Sequence, residues 1–324
     1  VTPNDLRLWQ ALLRRVGDLS PDLTAALLQA FQNLRDSFSD SEFATLLKTG
    51  SAETIVSAIF DQATTDAALA PMQDELRDGI ISAVRAFQRE VPKTAGGLAI
   101  RFDYLNPRVV DAIRGLETRV ITSLSDDMRA VAKAVVEKDL TAGLGSKAIA
   151  ADLRNVIGLG PSQLEQVDNF RDALQGLNGR SIADYTLRDK RFSLPTTPAQ
   201  LDKQVTAYRN ARIAQNANTI ARTAALDAMK LSQYMAWQDA IAQGFVDASQ
   251  VTKRWSGVLD DRERPAHVAM EGETVGINER FSNGQMIPGD TDYNCRCIAV
   301  YGRMRAARVR EVVPQSVPRA LATF

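Results

Sequence analysis

Apolar residues recur at helical spacing through most of the first 250 positions. A small or capping residue followed by proline opens several of these stretches: Thr2-Pro3, Ser20-Pro21, Asn106-Pro107 and Thr197-Pro198. A capping oxygen there accepts an orphan backbone N–H, and proline in the first turn forfeits no needed hydrogen bond. After Thr2 the stripe is Leu6, Trp9, Leu13 and Val16; after Ser20 it is Leu23, Leu27, Phe31 and Leu34. Leu69, Met72, Leu76, Ile80, Val84 and Phe87 form a further stripe that ends before Pro92. The Gly pair in 93–100 predicts a boundary. A long helix from Asn106 carries Val109, Ile113, Leu116, Val120, Leu124, Met128, Val131 and Val135 and stops at Gly143 and Gly145. Ser146 and Pro161 open two shorter helices, the first stopped by Gly158. Residues 176–196 lack a period and read as a long loop holding Arg180, Arg188, Lys190 and Arg191. From Pro198 to about Gln243 the helical pattern returns, with Asn216 and Asn218 marking a potential break.

The pattern changes at Gly244. Short β-branched and aromatic runs, Val251–Trp255 and Cys297–Tyr301, alternate with turn signals at Glu271-Gly272, Ser282-Asn283-Gly284 and Pro288-Gly289-Asp290. The expected fold is therefore α+β. An N-terminal helical region (1–95) and a central helical region (96–244) precede a small β-rich module (245–302) and a basic tail (303–324).

Composition narrows the chemistry. The 324 residues hold 39 Lys+Arg against 39 Asp+Glu, so an overall basic coat for nucleic acid or acidic membrane is excluded. The neutral total hides polarity: residues 35–78 carry a local charge of −6 and the tail +4. Arg188, Lys190 and Arg191 in the loop, with Arg303, Arg305, Arg308 and Arg310 in the tail, are the candidates to face nucleic acid. No apolar run is long enough for a membrane span. The opening, Val1 to Arg15, has charges and no apolar core, unlike a secretory signal.

With one histidine, His267, and two cysteines, Cys295 and Cys297, a two-histidine zinc-protease helix and a disulfide framework are both excluded. Phosphate-loop, dinucleotide and GxSxG signatures are missing as well. The three groups nevertheless fall within one short module. In a strand, Cys295 and Cys297 share a face, and an imidazole brought near them by the intervening hairpin makes three soft ligands suited to a structural zinc. Asp292 or Asp260 would be the fourth. The competing reading is plain burial of two small apolar thiols. Asp260, Arg262 and Arg264 read best as an ion network bracing an irregular loop. A catalytic reading would make Asp260 or His267 a general base and Arg262 an anion clamp.

Asp260-x-Arg262-x-Arg264-Pro265-x-His267, with Trp255 before it and Gly272, Phe281, Pro288 and Asn294-Cys295-Arg296-Cys297 after it, resembles the signature of the phage Mu F-like family of minor head proteins. Further likenesses are Ile220-Ala221-Arg222-Thr223, Val156-Ile157-Gly158-Leu159 before Pro161, and Phe102-Asp103 before Asn106-Pro107. Together they cover about residues 95–302. Glu263 stands where the pattern usually has Thr, and Asp292-Tyr293 where many members have His-Pro. If the module binds metal, Asp292 would replace that imidazole.

The resemblance implies a non-enzymatic structural protein, built into the head during assembly in the host cytoplasm and housed inside it. The implied partners are the portal or inner capsid wall, packaged DNA and further copies of the chain, with ejection alongside the genome as a late role. Two alternatives stay open. One is a metal-dependent enzyme or toxin-like effector using His267, Cys295, Cys297 and Asp260. The other is a DNA-binding accessory protein acting through the loop and tail cations.

Overall fold

A computed structural model describes residues 3–90, 107–261, 263–290, 292 and 295–303. Helices α1 (Pro3–Asp36), α2 (Asp40–Thr49), α3 (Ala52–Ile59) and α4 (Gln62–Glu90) come first. They are followed by α5 (Pro107–Thr141), α6 (Ser146–Val156), α7 (Pro161–Leu174) and α8 (Pro198–Ala242). A three-stranded antiparallel sheet closes the described chain. Its strands β1 (Val251–Ser256), β2 (Thr274–Gly276) and β3 (Ile298–Arg303) lie in the order β2-β1-β3, with the one-turn helix α9 (Pro265–Val268) between β1 and β2. Lys253 in β1 sits opposite Val275 on one side and Tyr301 on the other. The fold is α+β, as the sequence pattern predicts.

The stripes read from the sequence become the core. Leu23, Leu27, Phe31 and Leu34 of α1 join Leu69, Met72 and Leu76 of α4. Leu116, Leu124, Met128 and Val131 of α5 and Val205, Tyr208 and Ile213 of α8 belong to the same buried cluster. Helix α1 lies along α8, and α4 lies along both. Gly143 (φ +71°) and Gly158 (φ +96°) adopt the positive φ that ends α5 and α6.

Two expectations change. Ser20-Pro21 does not start a new helix; α1 runs through it with Pro21 inside. Pro21 lacks the N–H that would reach Gly17, and the Thr24 hydroxyl donates to the Ser20 carbonyl at 2.6 Å. Val16 before the proline and Leu23 after it are buried in one cluster, so packing of both halves overrides the local break. Helix α8 likewise passes Asn216 and Asn218 without interruption. Asn216 points outward from its own helix and donates to the Gly158 carbonyl at 2.9 Å, which ties α8 to the end of α6. At about 1.5 Å per residue its 45 residues span roughly 68 Å.

Side chains between elements settle helix ends that the sequence leaves open. Arg35 of α1 donates to the carbonyls of Arg154 (3.1 Å) and Ile157 (2.8 Å) at the end of α6. Arg154 returns the favour, donating to the Phe38 carbonyl (2.9 Å) and pairing with Asp40 (2.6 Å). Arg35 thus satisfies carbonyls at the end of α6, while Arg154 fixes the link between α1 and α2. The boundary read at 93–100, the caps Thr2 and Asn106, and Phe102-Asp103 lie outside the described residues.

Candidate functional site

The site forms where the small module meets the middle of α8, around Arg222 and Lys230. β1 is extended because Val251, Lys253 and Trp255 alternate inward, and all three are fully buried. Trp255 packs edge-on against His267 (5.6 Å between ring centres) and Phe281 (5.2 Å). Met270, Phe281, Cys295 and Cys297 complete this small core. The chain turns at Gly272 (φ +82°), whose N–H donates to the Trp255 carbonyl. Pro265 at the first position of α9 sets one turn of helix, which carries His267 inward to 5% exposure.

The three soft groups converge. His267 Nδ1 lies 3.6 Å from Cys295 Sγ and 3.5 Å from Cys297 Sγ. Both cysteines are buried and unbridged. The ligand atoms all fall within 4.8 Å of one another. The thiols sit just ahead of β3, so the strand's alignment with β1 fixes them.

Asp292 does not face the sulfurs. Its Oδ2 lies 3.1 Å from His267 Nε2, the opposite edge of the ring, and accepts from Gln285 Nε2 at 2.5 Å. That corrects the expected fourth ligand: Asp292 orients the imidazole. Asp260 is no ligand either. It forms a two-pronged pair with Arg296 at 2.5 and 2.6 Å, pinning the loop after β1 to the lead-in of β3. The carboxylate at the sulfurs is Glu263. Its Oε1 accepts from Cys297 Sγ at 2.9 Å and stands 3.8 Å from His267 Nδ1, while Oε2 accepts the Val258 N–H at 3.1 Å. Sequence reading noted Glu263 merely as a departure from a pattern. No spacing rule marks it, because Glu263 stands outside the one-turn helix that carries His267.

Electrostatics divides the thiols. Cys295 is held below the usual thiol value, first by its hydrogen bond with Cys297 and further by Lys230, whereas Cys297 is pushed up by Cys295, burial and Glu263. Lys230 of α8 reaches through the core to donate to the Cys295 carbonyl at 2.8 Å, with Asp227 3.8 Å away. Gly289 (φ +88°) lets the backbone pass here, since a Cβ would stand 2.8 Å from Cys295 Cβ. Pro288 beside it is buried. A polar pocket of about 310 Å³ lined by Arg222, Glu263, Arg264, His267, Cys295 and Arg296 opens onto the cluster.

The loop cations are placed differently. Arg191 is paired with Asp189 at 2.7 Å, and Asp189 is held down to about 2 by that partner. Lys190 is exposed, and Arg188 lies half-buried beside a groove of about 590 Å³. Arg262, Asn294, Arg305, Arg308, Arg310 and the side chain of Arg303 lie outside the described residues.

A model of the family described as Phage Mu protein F like protein matches residues 130–300. The chain belongs to that family. The match begins inside α5, takes in α6, α7, α8 and the whole site, and ends in β3. No curated protein and no solved structure matches the chain. Membership places this Mu F-like protein among the minor head and head-morphogenesis proteins of bacteriophages, a structural family associated with the virion head and capsid. Among the described residues no helix is long and apolar enough to cross a membrane.

Proposed function

We propose that this Mu F-like protein works inside the head beside the portal, docked through its helical body, with its basic segments toward packaged DNA, and that it leaves with the genome at ejection. The observation that carries the reading is α8. This 45-residue helix is buried along most of its length and packs against α1, α4 and α7, and through Lys230 and Trp237 it also holds the β module. A continuous spine of this kind transmits position between two contact surfaces, which suits an assembly component. The ionisable groups of the His/Cys cluster are engaged with each other, as bracing groups are.

Charge supports the orientation. The acid-rich stretch 35–78, on α2, α3 and flanking helix ends, repels phosphate and suits a protein surface. The loop at 176–196 and the tail suit DNA, with Arg191 partly neutralised by Asp189. Cross-linking within intact heads, followed by mass spectrometry, tests the reading. Links from the α2–α4 face to the portal or inner wall are expected. A chain lacking 304–324 should still enter heads while DNA-related steps change. Absence from purified heads, or loss of incorporation on that deletion, would defeat it.

A further inference from the structure

We propose that Glu263, His267, Cys295 and Cys297 form a closed, four-ligand structural zinc site. The imidazole and the two sulfurs, whose ligand atoms lie within 4.8 Å of one another, are spaced as in a tetrahedral centre, and Glu263 Oε1, 2.9 Å from Cys297 Sγ and 3.8 Å from His267 Nδ1, is the adjacent carboxylate that would move onto the metal to complete it. Zinc bonds of about 2.3 Å to sulfur and about 2.0–2.1 Å to nitrogen, set at a tetrahedral angle, place such ligands about 3.5–3.6 Å apart. The two Nδ1-to-sulfur distances are 3.6 and 3.5 Å. Two thiolates, an imidazole and a carboxylate are a donor set that zinc takes.

The surroundings prepare each ligand. Asp292 Oδ2 at Nε2 accepts the ring proton and leaves the Nδ1 lone pair facing the sulfurs, and Gln285 holds Asp292 in turn. The Val258 N–H anchors one oxygen of Glu263, whose side chain is 3% exposed, so the other is aimed into the cluster. The thiol proton that Glu263 now accepts is the one a zinc ion would displace. On binding, each thiol still protonated releases its proton to solvent and a sulfur–zinc bond forms, with no redox change. The polar pocket beside the cluster is the entry path.

The site also answers a structural need. It ties the continuous stretch formed by the loop after β1 and helix α9 to the lead-in to β3, about thirty residues further along the chain. They surround a sheet of three short strands with few core residues of its own, the setting in which small modules use a metal as staple. This inference does not depend on where the protein sits in the head.

The experiment uses the full chain. Metal content is measured on protein purified without chelator, and cobalt(II) is then exchanged in. One zinc per chain is expected, released as a thiol-specific mercurial titrates the two cysteines. The cobalt form should show thiolate charge-transfer absorption and the intense visible bands of a tetrahedral site. Asp292→Asn should keep one metal per chain. Glu263→Gln should weaken zinc at least tenfold and alter the cobalt spectrum, and Cys295→Ser/Cys297→Ser should abolish both signals. No zinc in the wild-type chain and none taken up when supplied would overturn the site without recourse to any variant. Undiminished zinc in the double cysteine variant would do the same. Unchanged affinity and spectrum in Glu263→Gln would overturn the closed, four-ligand form.

Discussion

Replacing Gly158 by alanine separates backbone freedom from close packing in one residue. Gly158 ends α6 at φ +96°, where a residue with a side chain is strained by about 1–2 kcal/mol. An added Cβ would also stand 2.6 Å from Phe31 Cδ2, 2.9 Å from Phe31 Cε2 and 3.1 Å from Ile213 Cγ2. Phe31 is fully buried and Ile213 nearly so, leaving neither ring nor methyl room to withdraw. Overpacking of that kind costs about 1–3 kcal/mol. The variant's stiffer unfolded chain returns about 0.4–1 kcal/mol. The expected net loss is about 2–4 kcal/mol, a large share of the roughly 5–15 kcal/mol a folded protein commands. Gly176 is the control: its φ is +72°, but a Cβ there meets nothing within 4 Å. Gly176→Ala should lose only about 1 kcal/mol, the backbone part alone. Urea unfolding followed by far-UV circular dichroism reads both, since the helical body dominates that signal. Equal midpoints for the two variants would refute the claim that Gly158 is required by the contact between α6, α1 and α8.

Burial lifts Asp227 to about 6, against about 3.9 in an unfolded chain, so the folded state holds a proton more tightly. Its contribution is full below about pH 4 and is lost as pH rises through 6. Relative to Asp227→Asn, the wild type should therefore lose about 2–3 kcal/mol between pH 4 and pH 7; a difference independent of pH would contradict this. Arg35→Ala strips two carbonyls at the end of α6 of their donor and should destabilise by about 2–3 kcal/mol, with local hydrogen exchange rising first at 154–157; unaltered exchange there would count against the cap. Asp189→Asn frees Arg191, so the log–log salt slope of any DNA binding should steepen by about 1, and an unchanged slope would remove that residue from the DNA face.

Much of the helical body was legible from apolar spacing and end signals, because both act within a few residues. Leu69, Met72 and Leu76 fall on one buried face as their spacing requires, Gly143 follows the end of α5, and Pro161 and Pro198 start α7 and α8. Pro21 misled because a local break signal competes with packing that spans both sides of it. The Ser39-x-x-Glu42 capping box that starts α2 was equally local, yet easily passed over in an acid-rich stretch.

By itself the sequence determined the α+β class, the position of the β module and the confinement of its imidazole and thiols to residues 267–297. Those follow from residue type and short-range periodicity. The tertiary structure decided which carboxylate meets the sulfurs. Asp292 is three residues from Cys295 and yet lies at the far edge of the imidazole, while Glu263, more than thirty residues from either cysteine, touches Cys297. It also decided that Arg35 closes the end of α6 while Arg154 holds the link between α1 and α2, and that Lys230 crosses from α8 to the Cys295 carbonyl. The physical reason is common to all of these. A buried polar group must find a partner wherever folding brings one, and sequence separation sets no limit on that distance.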